Sequence, residues 1–310
     1  MAPETEIPRR TGNGRSPSDW GVACARSPSL SVWTERSPSI VSAETPNTPA
    51  ALWRSALAVD PARPFVTAYD DDTGGRVELS FATFDNWVAK TANMLVDTLA
   101  TEPGDSVVLA LPLHWQSLVW VLASWSAGLT VVPAAEGEVG EGDIVVTDAA
   151  RLQRAMDTGA REVVGTSLHP LGAPLAECPP AAMDYAVEVR GHGDHFTPAE
   201  PPAPERVALR TDRDHSGADL VAAARERASA WGLTSGDRVA LLTRAPNTLT
   251  ALSPRLSHIL APLTSASPVL LTSATDPDTV RSRLDMERAT AVVGVPADSP
   301  SPTADVRVLP

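Results

Sequence analysis

Gly104-Asp105-Ser106-Val107-Val108-Leu109 opens an uncharged stretch, residues 107–135, that runs on into Ala127-Gly128-Leu129-Thr130-Val131-Val132-Pro133. The pattern recurs as Gly236-Asp237-Arg238-Val239-Ala240-Leu241, a helical stretch, and Pro268-Val269-Leu270-Leu271. Each copy reads as turn, buried strand, helix, buried strand, the unit of a parallel sheet. The fold class is therefore α/β, with two parallel-sheet βαβ subdomains.

Outward from the first copy, Pro64-Phe65-Val66-Thr67-Ala68-Tyr69, the turn from Asp70 to Gly75, and Val77-Glu78-Leu79 predict a β-hairpin. Ser80 caps a helix whose apolar positions are Phe81, Phe84, Val88, Ala92, Leu95 and Leu99, spaced three and four apart. Lys90 falls off that stripe and reads as a solvated surface charge. Strand 106–111, helix 115–127, strand 129–133, the acidic Gly-rich loop 134–143, strand 144–148, helix 149–158 and strand 162–165 follow. Right-handed crossovers turn this succession into a parallel sheet. Tryptophans at 115, 120 and 125 recur every five residues and spread around their helix, which predicts burial on most sides.

Residues 168–205 carry eight prolines, at 170, 174, 179, 180, 198, 201, 202 and 204, and read as a linker with a short strand at Tyr185–Val189. The second run starts at Val207-Ala208-Leu209, and Ser216-Gly217-Ala218-Asp219 matches a capping box opening helix 217–231. Strand 238–242, a helix over 247–261, strand 268–272, helix 277–287 and strand 289–294 complete it. The expected organisation is an extension (1–47), a first subdomain (48–167), the linker (168–205), a second subdomain (206–296) and a tail (297–310). The extension is Ser/Pro/Arg-rich and repeats Arg-Ser-Pro-Ser at 15–18, 26–29 and 36–39. Its composition predicts disorder, and a start at Val41 is the simpler account of it than a phosphorylatable tail.

A chain of 310 residues with net charge −13 lacks the basic surface that nonspecific nucleic-acid or anionic-membrane binding needs. Of its 25 basic residues all but Lys90 are arginine, which, with 29 prolines, suits a GC-rich bacterial genome. Pro112, His114, Gln116, Ser124, Ser126 and Gly128 interrupt the uncharged stretch, so strand–helix–strand punctuation explains it without lipid. No signal-peptide pattern opens the chain, and the two cysteines, Cys24 and Cys178, have no CxxC neighbour. A reducing cytoplasm is the expected compartment.

The order of these landmarks resembles the N-terminal half of the adenylate-forming (AMP-binding) superfamily, which includes acyl-CoA synthetases. Leu79-Ser80-Phe81-Ala82-Thr83-Phe84 occupies the place of that superfamily's Thr-Tyr-x-Glu-Leu helix start. Pro103-Gly104-Asp105-Ser106-Val107 is similar to its Pro-Gly-Asp-x-Val turn. Ser126-Ala127-Gly128 through Pro133 resembles Lys-Ala-Gly-x-x-x-Val-Pro, with serine for lysine, and Arg288 through Pro296 resembles a later Lys-Val-Thr stretch ending in Val-Pro. The likeness covers residues 50–296, and more narrowly it extends to a group of short actinobacterial proteins related to that N-terminal region.

The resemblance implies chemistry that these residues lack. In the superfamily a Ser/Thr/Gly-rich loop ending in Pro-Lys-Gly, after the strand that here is 207–210, holds the ATP phosphates. Here that place reads Arg210-Thr211-Asp212-Arg213-Asp214-His215-Ser216-Gly217. It has one glycine and two carboxylates where phosphate oxygens would sit, and like charges ~4 Å apart repel by about 4 kcal/mol at an effective dielectric near 20. The superfamily's Thr-Glu pair for Mg²⁺, its ribose-binding aspartate and its C-terminal domain with a second lysine have no counterpart, and Lys90 is already placed on an early helix. The expectation is a non-catalytic protein with no catalytic, cofactor-binding or metal-binding residue to assign, no cofactor, and nothing to support nucleotide binding. Two alternatives stand beside it: a relic that binds AMP, an acyl chain or an acyl-adenylate, and one half of a split acid–thiol or acyl-adenylating ligase completed by a partner chain. A protein partner or self-association is expected in the absence of nucleic acid and membrane.

Among single residues, His114 follows a strand end, where α/β sheets place ligand-binding groups. The sheet ends around Pro112–His114 and Thr243–Asn247 are where a retained ligand would sit. Gly191-His192-Gly193-Asp194-His195 has the composition of a metal cluster but no third ligand nearby, so a solvated loop is expected there.

Overall fold

The computed structural model describes residues 45–70, 74–243, 248–251, 253–296 and 303–310. The Arg-Ser-Pro-Ser repeats, Cys24 and Asn247 lie outside the described residues.

Along the chain run α1 (Pro49–Leu57), β1 (Pro64–Tyr69), β2 (Arg76–Ser80), α2 (Phe81–Asn93), β3 (Ser106–Ala110), α3 (Trp115–Ser126), β4 (Thr130–Pro133) and β5 (Ile144–Asp148). Then come α4 (Leu152–Met156), β6 (Glu162–Thr166), β7 (Met183–Asp184), α5 (Tyr185–Glu188), β8 (Val207–Arg210), β9 (Asp214–Ser216) and α6 (Gly217–Trp231). The rest are β10 (Val239–Leu242), α7 (Ser257–Leu260), β11 (Val269–Thr272), α8 (Pro277–Met286), β12 (Ala291–Val293) and β13 (Arg307–Val308). The expected helix starts are set by side-chain caps: Ser80 Oγ accepts from the Thr83 N–H at 3.1 Å, and Ser216 and Asp219 close the predicted capping box.

Two mixed, mostly parallel sheets result. One orders its strands β13-β12-β10-β11-β1-β2 and the other β7-β6-β5-β3-β4-β8-β9, and among the described residues antiparallel pairing is confined to β1–β2 and β8–β9. Successive residues of the central strands serve opposite faces. Val107, Leu109, Ile144, Val146, Val239 and Leu241 join one large core that also holds α1, α2, α3, α6 and α7. Val108, Ala110 and Val145 pack with Leu152 of α4, while Ala240, Leu242 and Leu270 pack with Val280 and Leu284 of α8. Among the described residues α1, α2, α3, α6 and α7, together with Tyr185 of α5, thus pack into the core between the sheets, while α4 and α8 cover the outer faces. Strands buried on both sides are apolar at most positions, which is why they read as near-continuous runs.

The sheets do not follow the sequential division into 48–167 and 206–296. β1 pairs with β11, Val66 opposite Val269, and β8 pairs with β4, Leu209 opposite Val131, so each half lends a hairpin to the other's sheet. The central core ties the exchange together. Trp53 of α1 packs on Phe65, Phe81 and Phe84 at centroid distances of 4.9, 5.5 and 5.4 Å, and its Nε1 donates to Asp85 at 2.7 Å. Such aromatic pairs contribute roughly 0.5–1.5 kcal/mol each beyond their buried area. As the tryptophan spacing predicts, every residue of α3 from Trp115 to Trp125 is buried.

Four stretches differ from the sequence reading. The proline-rich segment 168–205 is not a free linker: Met183–Asp184 adds an edge strand to β6, and Tyr185 is 1% exposed, with its hydroxyl 2.7 Å from Thr91 Oγ1. The strand comes two residues earlier than expected because Asp184 Oδ1 accepts from the Ala186 N–H and starts a helical turn instead. Lys90 is half-buried and donates to the His192 carbonyl, pinning this segment to α2. The helix expected over 247–261 is, among the described residues, the short α7 followed by a 3₁₀ turn at Ala261–Ser265, where Pro262 offers no N–H to continue an α-helix. The tail re-enters the fold, with β13 parallel to β12 and Val306 and Leu309 buried. No helix among the described residues is long and apolar enough to cross a membrane.

Candidate functional site

The segment Arg210–Gly217, where the sequence resemblance expects a phosphate loop, is a closed hairpin. Arg210 Nε donates to Asp214 Oδ1 at 2.8 Å, and the Thr211 N–H donates to the Arg213 carbonyl at 3.0 Å. The Asp212 carboxyl is held below its usual range by the Thr211 hydroxyl, and the Asp219 carboxyl by Ser216. At the start of α6 the N–H groups of Gly217, Ala218 and Asp219 donate to the Arg206 carbonyl, the Pro204 carbonyl and Ser216 Oγ. These are the amides a helix start would otherwise offer to an anion. Each already has an acceptor from this chain.

A cleft of about 630 Å³ opens instead between the two sheets, at the carboxyl ends of their parallel strands. From the six-stranded sheet come Tyr69 at the end of β1 and Asp70 just after it, Thr243 after β10, and Leu271–Ser273 at the end of β11. From the seven-stranded sheet come Pro112–His114 after β3, Ala149 after β5 and Ser167–Pro170 after β6, while Pro174–Ala176 closes one side. No residue of 210–217 lines it. This is the crevice that α/β sheets use for ligands, and His114 stands where the sequence placed it.

His114 is the N-cap of α3: its Nδ1 accepts from the Gln116 N–H at 3.2 Å, and Ser117 Oγ returns to the His114 N–H at 2.9 Å. Burial pushes its imidazole down to about 4, against a smaller upward pull from Asp70 across the cleft. His169 repeats the device, with Nδ1 accepting from the Leu171 N–H at 3.1 Å. Gln116 connects them: its Nε2 reaches the His169 carbonyl at 3.4 Å and its Oε1 accepts from Thr166 at 2.8 Å. Leu168, beside His169 on the same side, holds a left-handed backbone with φ 55°.

Sequence reasoning missed His169, Asp70 and the charged cluster behind Tyr69. Glu287, 4% exposed, accepts from the Tyr69 hydroxyl and from Arg76 Nε, both at 2.7 Å, and lies 3.0 Å from Arg238. Burial raises the carboxyl and these donors outweigh it, leaving Glu287 below its usual range. Arg283 lies over the Tyr69 ring at 4.3 Å. The one available signal was position, because Tyr69, Asp70 and His169 each stand at or just beyond a strand end. His192, by contrast, sits 3.1 Å from Thr98 Oγ1, and the His195 carbonyl accepts from Asn93, so the structure does not gather them as ligands. Among the described residues no group of three or more His, Cys, Asp or Glu is arranged to hold a metal ion. Cys178 is half-buried, its Sγ turned to the Ala182 carbonyl, and burial raises its thiol.

Residues 53–164 match the model of the AMP-binding enzyme family. The fold is similar to an acyl-CoA synthetase of Brucella canis (TM-score 0.64, 17% identity, covering 79% of this chain and 47% of that one). It is also similar to a long-chain-fatty-acid-CoA ligase of Archaeoglobus fulgidus (TM-score 0.66, 13% identity, 81% and 52%). The chain thus spans about half the length of these solved structures, and at such identities the likeness is one of fold. A TIGR03089 family protein of Mycobacterium tuberculosis is 34% identical over 262 residues, covering 80% of this chain and 99% of that protein. The chain belongs to the TIGR03089 family, built on the fold of the N-terminal half of the adenylate-forming superfamily.

Proposed function

We propose that the protein is a non-adenylating, cytoplasmic derivative of an adenylate-forming enzyme that acts by binding. The observation that carries this reading is the hairpin at Arg210–Gly217. Adenylation requires backbone N–H groups and a cation aimed at the departing pyrophosphate. The amides of Gly217, Ala218 and Asp219 are occupied by acceptors of the chain itself, and Asp212 and Asp214 add negative charge beside them. Satisfied donors have to give up existing hydrogen bonds before they can serve an incoming anion.

The cleft favours a second element of the same reading, retention of a ligand at the sheet ends without turnover. Thermal melting of the full chain tests the phosphate half of the proposal. Mg-ATP at millimolar concentration is expected to leave the midpoint unchanged. A ligand at 100 times its dissociation constant adds about 2.7 kcal/mol, worth roughly 5–10 °C at this size. A shift of that order with Mg-ATP, abolished in Arg213→Glu, contradicts the reading. Assembly is the other route by which such a protein acts. Sedimentation showing a clean monomer at micromolar concentration would count against self-association and leave ligand binding as the route.

A further inference from the structure

We propose that the cleft between the sheets binds an uncharged polyhydroxy ligand, a sugar or polyol, whose hydroxyls accept from the imidazoles of His114 and His169 and donate to Asp70. The inference rests on the ligand-retaining side of the function proposed above and goes further by naming the ligand's chemistry.

A nitrogen that accepts a hydrogen bond carries no proton. With Nδ1 accepting from a backbone N–H in both residues, each neutral ring bears its hydrogen on Nε2. Both rings, His114 half-buried and His169 exposed, belong to the seven-stranded sheet's side of the cleft and are linked through Gln116, which is 1% exposed. Burial keeps His114 neutral across the ordinary pH range, so it stays a donor without becoming a cation. Asp70 stands on the opposite sheet, near enough for its charge to act on the His114 ring. A ligand group lodged between N–H donors and a carboxylate has to accept from one side and donate to the other. A hydroxyl does both. A carboxylate only accepts, and phosphate, though it can carry an O–H, brings negative charge towards Asp70, whereas an ammonium only donates and would meet the two N–H groups.

The rest of the lining mixes hydroxyls with apolar side chains. The Ser167 and Thr243 hydroxyls donate to the Ala173 and Thr272 carbonyls and keep acceptor capacity towards the cleft, beside the apolar Leu113 and Leu271. A sugar ring alternates polar edges with C–H faces and matches such a surface. The volume of about 630 Å³ lies in the range of small-molecule sites.

The test is nuclear magnetic resonance of the full chain with ¹⁵N-labelled histidine, titrated separately with D-glucose, D-ribose, myo-inositol, acetamide, acetate and inorganic phosphate. The expected spectrum shows the Nε2–H tautomer for His114 and a saturable shift of its ring with at least one of the three polyols. His114→Gln should weaken that binding about tenfold, the worth of one well-made hydrogen bond. Ala149→Trp changes an exposed residue at the cleft and keeps the test independent of any folding defect in the first variant. It should abolish the shift while preserving the melting midpoint. The proposal is overturned by an Nδ1–H tautomer, by no saturable shift with any polyol, by a response to acetamide, acetate or phosphate alone, or by a polyol response unchanged in Ala149→Trp. Pyrophosphate release is read in a separate assay: a chain that adenylates yet binds a polyol through His114 refutes the proposed function and not this inference, and the converse pattern refutes only the inference.

Discussion

Acid lability offers a quantitative check on the packing between the sheets. His258 in α7 is 7% exposed, lies against Trp231 with centroids 4.9 Å apart, and leaves its Nδ1 without a partner. Burial, and then the positive charge of Arg227, push its imidazole down from 6.5 to about 4. Between those two values the unfolded chain binds a proton that the folded chain refuses, so stability is fully present above 6.5 and lost as the pH falls towards 4. At about 1.4 kcal/mol per unit the loss is about 3 kcal/mol, a large share of a total near 5–15 kcal/mol. Urea unfolding of the wild type and of His258→Leu at a series of pH values from neutral to about 4 reads it directly. The wild-type curve should fall by about 3 kcal/mol more than that of the variant. Parallel curves for the two proteins would refute the reasoning, because they would mean that His258 takes up its proton as readily in the folded state as in the unfolded one.

Three further perturbations follow from the same contacts. Glu287→Gln removes one of the two carboxylates shared by Arg76 and Arg238, leaving Glu78 as their remaining partner, and should destabilise by about 1.5–3 kcal/mol in urea melts; a loss within error of zero would show the cluster to be solvated. Ser216→Ala removes the cap of α6 and should cost about 0.5–2 kcal/mol, with Ser216→Gly recovering most of it. Truncation after residue 302 removes β13 with the buried Val306 and Leu309, each side chain worth about 1.5–3 kcal/mol. A midpoint equal to that of the full chain would show the re-entrant strand to be dispensable.

Local pattern disclosed most of the elements and little of their partnership. Strands such as Val107–Ala110 and Val239–Leu242 were legible because burial on both faces leaves no polar position to interrupt them. The helix starts at Ser80 and Ser216 were legible because a cap is a contact within one turn. The exchange of hairpins was not, since nothing in Pro64–Tyr69 marks Val269 rather than Val107 as its neighbour. β13 was hidden because a two-residue strand has no periodicity, and its register depends on contacts such as Arg307 with Asp237 at 2.6 Å. The cleft stands in between. His114 was visible as a histidine after a strand, but its pairing with His169 and Asp70 joins residues from three strand ends on two sheets. Only the sheet order brings them together.

The central claim is that this fold retains the architecture of an adenylate-forming domain without its phosphate chemistry. Pyrophosphate release from Mg-ATP, measured with the purified full chain against a panel of short, medium and long carboxylic acids, tests it most directly. The account predicts a rate indistinguishable from that of the acid-free control for every acid. Release that depends on one acid, saturates with its concentration and disappears in Arg213→Glu would contradict it and place adenylation at the hairpin after all.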